Sequence, residues 1–186
     1  MRKKELLSDA YRKVIYWFFA YPQKEVSLND LTRLVNISKT TANKTVLQLA
    51  HEKFLKIDSV GNVWRISCNQ QHPFCTTRKI PYNLGLIYES GVIGEILKIV
   101  PNARSIILFG SYRKGDDIGS SDVDIAVEVL GDRDVNLSNL RTILQLGYRK
   151  NVKVNILKFS RAKIDLNLFA NIANGIVIYG FFEARP

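Results

Sequence analysis

The chain has only two cysteines, Cys68 and Cys75, and two histidines, His51 and His72, in 186 residues. They allow one disulfide at most, which excludes a disulfide-stapled scaffold. Cys68, His72 and Cys75 stand in a C-x3-H-x2-C arrangement. A tetrahedral zinc site needs a fourth ligand, and only His51 is left to supply it. That set would use every candidate in the chain at a spacing unlike the common fingers, so two free thiols in a reducing compartment are the better reading. No apolar run reaches the roughly 18 residues of a membrane span. The basic opening Met1-Arg2-Lys3-Lys4-Glu5 leads into polar, amphipathic sequence, which makes a poor signal peptide. The expectation is a cytoplasmic protein with no membrane partner.

Acidic residues are scarce in one half only. The chain carries 27 Lys/Arg against 17 Asp/Glu, a net charge of +10. Residues 1–81 hold 14 against 6, a net +8, while residues 82–186 hold 13 against 11, a net +2. A localised excess of this kind suits a half that meets a polyanion, and a solvated helix face is the alternative.

The N-terminal half has helical periodicity. From Ser8 to Ala20 the residues Ala10, Tyr11, Val14, Ile15, Trp17 and Phe18 recur at helical spacing, and Pro22 stops the run. Ser27, with Asp30 three residues on, can cap a helix carrying Leu28, Leu31, Leu34 and Val35. After a break at Asn36-Ile37-Ser38, a second helix is expected from Lys39 to about Lys53, burying Ala42, Val46, Leu47 and Leu49. Strands at 54–57 and 63–66 flank Gly61-Asn62, a hairpin signal. Helix, helix, helix, hairpin resembles the winged-helix domains of DNA-binding regulators over about residues 5–67. In such a domain the second helix of the pair enters the major groove N-terminus first. The residues so placed are Ser38, Lys39, Thr40, Thr41, Asn43 and Lys44, with Arg65 and Asn62 in the wing. They offer charge for phosphates and short polar groups for base edges. Winged helices also dimerise or dock proteins, and that alternative stays open.

Residues 68–82 read as a linker, and one amphipathic helix is expected from about Asn83 to Val100, ended by Pro101. Strand periodicity then takes over. Residues 104–109 form an apolar strand running into Gly110-Ser111-Tyr112-Arg113-Lys114-Gly115. A polar loop leads to a second strand, 122–129, in which Val123, Ile125 and Val127 share one face and Asp122 and Asp124 the other. A third strand is expected at 152–158, a helix at about 161–173 and a last strand at 176–179. Two carboxylates two residues apart on a strand can converge on Mg2+, which takes one or two carboxylates plus substrate phosphates. Gly110 and Ser111, at a strand-to-helix corner, offer backbone N–H groups and a hydroxyl to a triphosphate, and Arg113 and Lys114 add positive charge nearby.

Strand, Gly-Ser, ten residues, Asp-x-Asp resembles the nucleotidyltransferase superfamily of DNA polymerase beta, and more closely its minimal prokaryotic members, over roughly residues 83–182. The resemblance implies a nucleoside triphosphate substrate, one or two Mg2+ ions held by Asp122 and Asp124 as catalytic carboxylates, and phosphate contacts from Gly110, Ser111, Arg113 and Lys114. It also implies a third carboxylate on a later strand, and the matching position, in Asn151–Leu157, holds Asn155. An amide offers a carbonyl oxygen but no charge and no base. Glu128 lies four residues beyond Asp124, too far along the strand to replace it.

The fold expected is therefore α+β, a winged helix-turn-helix over 1–67 and a nucleotidyltransferase-type mixed sheet flanked by helices over 83–186. Two functional readings follow. One is a Mg2+-dependent nucleotidyltransferase that moves a nucleoside monophosphate to an acceptor hydroxyl, tied to double-stranded DNA by its winged helix. By analogy with the minimal members it is antitoxin-like and paired with a helical HEPN-type protein. The other is a DNA-binding regulator that senses nucleotide without turning it over. A homodimer is compatible with both.

Overall fold

The computed structural model describes residues 8–61, 63–131 and 135–183. The chain divides into two compact units, Met1–Cys75 and Thr76–Pro186.

The first unit opens with α1 (Asp9–Ala20), capped by Ser8, whose hydroxyl accepts from the Tyr11 amide at 3.2 Å. Its apolar face, with Tyr11, Val14, Ile15 and Phe18, is buried almost completely. A two-residue strand β1 (Val26–Ser27) leads into α2 (Leu28–Val35). Ser27 caps α2 by accepting from the Asp30 amide and donating to the Asp30 carboxylate. Asn36 ends it in the left-handed region at φ 52°. Then come α3 (Lys39–His51) and the antiparallel strands β2 (Leu55–Val60) and β3 (Val63–Cys68), with Gly61 turning the chain at φ 59°. β1 adds to β3, so the sheet has three strands in the order β1-β3-β2 rather than the two that periodicity suggests. Asn62, one of the expected wing residues, lies outside the described residues.

Two details of this unit correct the sequence reading. Leu47 is half exposed, and Thr45 takes the core position beside Ala42, Val46 and Leu49. Thr45 and Leu49 are four residues apart and share a helix face with Ala42, whereas Leu47 points well away from them. The stretch read as a linker is also ordered. The side-chain amide of Asn69 donates to the Lys53 carbonyl, and His72 and Phe74 pack their rings on buried Phe54. A short helix α4 (Phe74–Thr77) follows.

In the second unit α5 (Lys79–Glu89) begins before Asn83, because Pro81 sits in its first turn, where no intrahelical N–H bond is lost. The expected single helix is broken at Ser90-Gly91. Gly91 adopts φ 76°, a conformation open to glycine, and α6 (Val92–Ile99) starts after it. There follow β4 (Ala103–Phe109), α7 (Gly110–Lys114), β5 (Val123–Val129), β6 (Asn136–Leu146), β7 (Arg149–Phe159), α8 (Leu166–Ala173) and β8 (Ile176–Gly180). The five strands form one mixed sheet in the order β6-β7-β5-β4-β8, with β5 and β7 parallel and every other pair antiparallel. The architecture is α+β.

Strand β6 has no counterpart in the sequence reading. It is a long edge strand burying only Ile143 and Leu146, so it lacks the apolar alternation that marks a strand from sequence. Helix α8 starts at Leu166 rather than near Arg161, because Asp165 caps it by accepting from the amides of Asn167 and Leu168. One sheet face packs Ile106, Leu108, Val123, Ile125, Val127, Val154 and Ile156 with Ile87, Val92 and Ile96 of α5 and α6. On the other face a smaller cluster of Ile107, Ala126, Leu157 and Phe159 is packed with Ile172 of α8.

Candidate active site

Alternation along β5 sends Val123 and Ile125 into the larger core and Asp124 to the opposite face. There Asp124 belongs to one cross-strand row: Phe109 of β4 is its register partner on one side, Asn155 of β7 on the other, and Asn139 of β6 lies beyond Asn155. The side-chain amide of Asn155 donates to Asp124 Oδ1 at 3.1 Å and approaches Asp122 Oδ2 at 3.4 Å. A single nitrogen thus lies within reach of both carboxylates. The Asn155 carbonyl oxygen faces the other way, 3.4 Å from the Asn139 amide. The position that sequence matching gave to a third carboxylate is therefore in the site, occupied by a neutral donor.

Gly110 is the other wall. It begins α7 at φ 70°, and a Cβ built there would stand 2.7 Å from Asp124 Oδ2. Glycine is required on both counts: the left-handed conformation disfavours a side chain, and the carboxylate fills the space. Ser111 follows, half-buried, and its carbonyl accepts from Gly115 N at 2.9 Å, which closes the short helix. The structure thus brings Gly110, Asp122, Asp124 and Asn155 together. Arg113 is half-buried and Lys114 exposed, and among the described residues neither forms an ion pair.

Burial raises the pKa of Asp124. The hydrogen bond from Asn155 opposes this shift, and the charge of Asp122 adds to it. Asp124 is thus a desolvated carboxylate next to another carboxylate, with one neutral donor for relief, a setting that favours a cation. Among the described residues no group of three or more His, Cys, Asp and Glu is arranged to hold a metal. The donors that fit Mg2+ here are the carboxylates of Asp122 and Asp124, toward which Asn155 turns its NH2 group rather than its oxygen.

Glu128, on the same face as Asp124, is not part of the site. It is buried, accepts from Ser105 Oγ at 2.9 Å and pairs with Arg161 at 2.5 Å.

A second set of side chains, absent from the sequence reading, lies behind the corner. Lys79, Asn83, Tyr112, Asp117 and Arg149 are each at most 4% exposed. Lys79 Nζ is 3.1 Å from Asp117 Oδ1 and donates to the Asp117 carbonyl at 2.5 Å. Asn83 donates to Asp117 Oδ1 at 2.8 Å and to the Tyr112 carbonyl at 3.1 Å. Arg149 donates to the Tyr112 hydroxyl and to the Ser121 carbonyl, and approaches Asp117 Oδ2 at 3.9 Å. Burial pushes the carboxyl of Asp117 up, opposed chiefly by the charge of Lys79. Nothing in the sequence distinguishes these charges from surface ones: Lys79 falls in the apparent linker and Asp117 in a polar loop.

In the first unit, Ser38 caps α3, accepting from the Thr41 amide at 3.2 Å, with its hydroxyl 2.8 Å from that of Thr41. Lys39, Thr40 and Lys44 are exposed and Asn43 is half-buried. Arg65 pairs with Glu25 at 3.3 Å across exposed surface. Lys39 also borders a cleft of about 130 Å3 with Ser27, Leu28, Asn29, Val63 and Trp64. Cys68 and Cys75 are not joined in a disulfide. His72 has both ring nitrogens engaged, Nε2 with the Glu52 carbonyl and Nδ1 with the Phe74 amide.

No described helix is long and apolar enough to cross a membrane. No curated protein matches the chain. Residues 92–181, within the second unit, match the family described as "Polymerase beta, Nucleotidyltransferase".

Proposed function

We propose that the second unit binds a nucleoside triphosphate with Mg2+ at the corner formed by Gly110, Ser111, Asp122 and Asp124, and transfers its nucleoside monophosphate only weakly. The observation that carries this reading is the packing of Asp124 between Gly110 and the Asn155 amide. Gly110 leaves room for a phosphate to approach the backbone, and Ser111 adds a hydroxyl. Asp122 and Asp124 would hold the metal, which supplies charge stabilisation for the phosphates. In transfer, an acceptor hydroxyl oxygen bonds to the α-phosphorus and the bond to pyrophosphate breaks, with the hydroxyl proton leaving to a base. Asn155 cannot take that proton, which is why the chemical step is slow. Arg113 and Lys114 are proposed as phosphate contacts on position and charge alone.

The first unit we read as a winged helix that binds double-stranded DNA through Lys39, Thr40, Asn43, Lys44 and Arg65, with Ser38 and Thr41 fixing the start of α3. The net +8 over residues 1–81 supports this reading. A cytoplasmic regulator follows, antitoxin-like by analogy, with a helical HEPN-type protein as partner or with a second copy of itself. Asn155 favours nucleotide sensing over turnover as the second reading. Binding of labelled ATP, GTP, CTP and UTP, with and without Mg2+, tests both. Wild type binds in a Mg2+-dependent manner and Asp122→Asn and Asp124→Asn do not, whereas absence of binding by wild type defeats both readings.

A further inference from the structure

The cluster behind the corner has a charge imbalance. Lys79 and Arg149 bring two positive charges and Asp117 one negative, while Asn83 and Tyr112 are neutral, so one positive charge is buried without a counter-ion inside the cluster. Burying ions is costly, and apolar residues of similar volume commonly hold a fold together as well or better. A purely structural cluster gains nothing from an unmatched charge.

Its place in the fold supplies a reason. Tyr112 directly follows Gly110-Ser111, and Ser121 directly precedes Asp122. Asn83 holds the Tyr112 carbonyl and Arg149 the Ser121 carbonyl, so both oxygens point into the cluster. In a trans peptide the N–H points opposite to its carbonyl, so the N–H ends of these two peptides are directed away from the cluster. A buried charge acts through low dielectric and is little screened by salt.

Resting on the nucleotide-binding reading, we propose that Lys79, Asp117 and Arg149 are positioning residues whose single uncompensated positive charge raises the affinity of the Gly110-Ser111 corner for the anionic triphosphate. None of the three touches the nucleotide. Their contribution is the field behind the corner and the orientation of two peptides flanking it.

The test separates field from packing with four variants of the full chain: Lys79→Met, Lys79→Arg, Asp117→Asn, and Lys79→Met combined with Asp117→Asn. Affinity for ATP with Mg2+ is measured by titration calorimetry, and folding by thermal melting of the same samples. Lys79→Met removes the excess charge and weakens binding about three- to tenfold, the scale expected of one charge through a partly screened interior. Lys79→Arg keeps the charge and binds within about twofold of wild type. Asp117→Asn raises the excess and does not weaken binding. The double variant has lost the buried ion pair but keeps the single excess charge, and its affinity returns to within about twofold of wild type whatever its melting temperature. Affinities that follow melting temperature instead of charge overturn the proposal, as do equal affinities for Lys79→Met and Lys79→Arg. If Asp117→Asn does not fold, the two Lys79 variants decide alone. Wild type that fails to bind ATP, GTP, CTP and UTP defeats the proposed function and this inference with it, an outcome distinct from the other two.

Discussion

The side-chain nitrogen of Asn155 lies 3.1 Å from Oδ1 of Asp124 across the parallel pairing of β7 with β5. The same nitrogen is 3.4 Å from Asp122. Without a cation, this amide relieves the repulsion of two neighbouring carboxylates better than a third carboxylate would. Asn155→Asp should therefore lower the melting temperature in the absence of metal and produce a Mg2+-dependent rise larger than that of wild type. Thermal melting with chelator and with Mg2+ checks this, and equal Mg2+ responses would place Asn155 outside the metal site.

Asp124 gives a pH prediction with a definite sign. Its pKa is raised in the folded protein, chiefly by burial, so the folded state favours the protonated form. That contribution is fully present below the ordinary carboxylate pKa and is lost as pH rises through the raised value. The ionised group is thus a liability at neutral pH, and Asp124→Asn should melt higher than wild type there when metal is absent. The gap should close as pH falls toward the ordinary carboxylate range. A gap that widens on acidification would contradict the burial argument. The same substitution should abolish Mg2+-dependent nucleotide binding, so the group that costs stability is the one the site needs.

Gly110→Ala tests the wall of the site. The left-handed backbone costs a residue with a Cβ about 1–2 kcal/mol, and here the Cβ would also meet Asp124 Oδ2 at 2.7 Å. A destabilisation of about that size or more is expected in denaturant titrations, together with loss of nucleotide binding as Asp124 is displaced. An alanine variant that keeps both stability and affinity would mean that phosphate does not approach here.

For the first unit, DNA affinity of the full chain should fall steeply with salt. Lys39→Ala and Lys44→Ala should each reduce the salt slope by about 1 and weaken binding to all sequences, whereas Asn43→Ala should mainly relax sequence preference. Fluorescence anisotropy on random and selected duplexes reads both. Affinity for no duplex at low salt would leave the unit as a protein-docking module.

The parts of this molecule legible in the sequence are those where local pattern and tertiary role coincide. Ser27 reads as a cap because capping is a local contact. β5 read as a strand with its aspartates on one face because the alternation is strict, and Gly110 stood out beside it. What stayed hidden depends on partners distant in sequence. β6 carries mostly polar residues and exists because β7 pairs with it. Lys79 and Asp117 are 38 residues apart, and only the fold makes them a buried pair. Gly91 splits a continuous helical pattern through its own backbone angle, which the periodicity of its neighbours does not reveal.

The central claim is a nucleotide site whose chemistry is held back by Asn155. The most direct measurement is transfer of label from α-labelled ATP, GTP, CTP and UTP to RNA, DNA and protein acceptors in the presence of Mg2+ or Mn2+, comparing wild type with Asn155→Asp. General-base catalysis is typically worth about 10²–10⁴-fold. The account predicts tight Mg2+-nucleotide binding with weak transfer by wild type, and a rise of that order in the variant. Brisk transfer by wild type that Asn155→Asp leaves unchanged would contradict it.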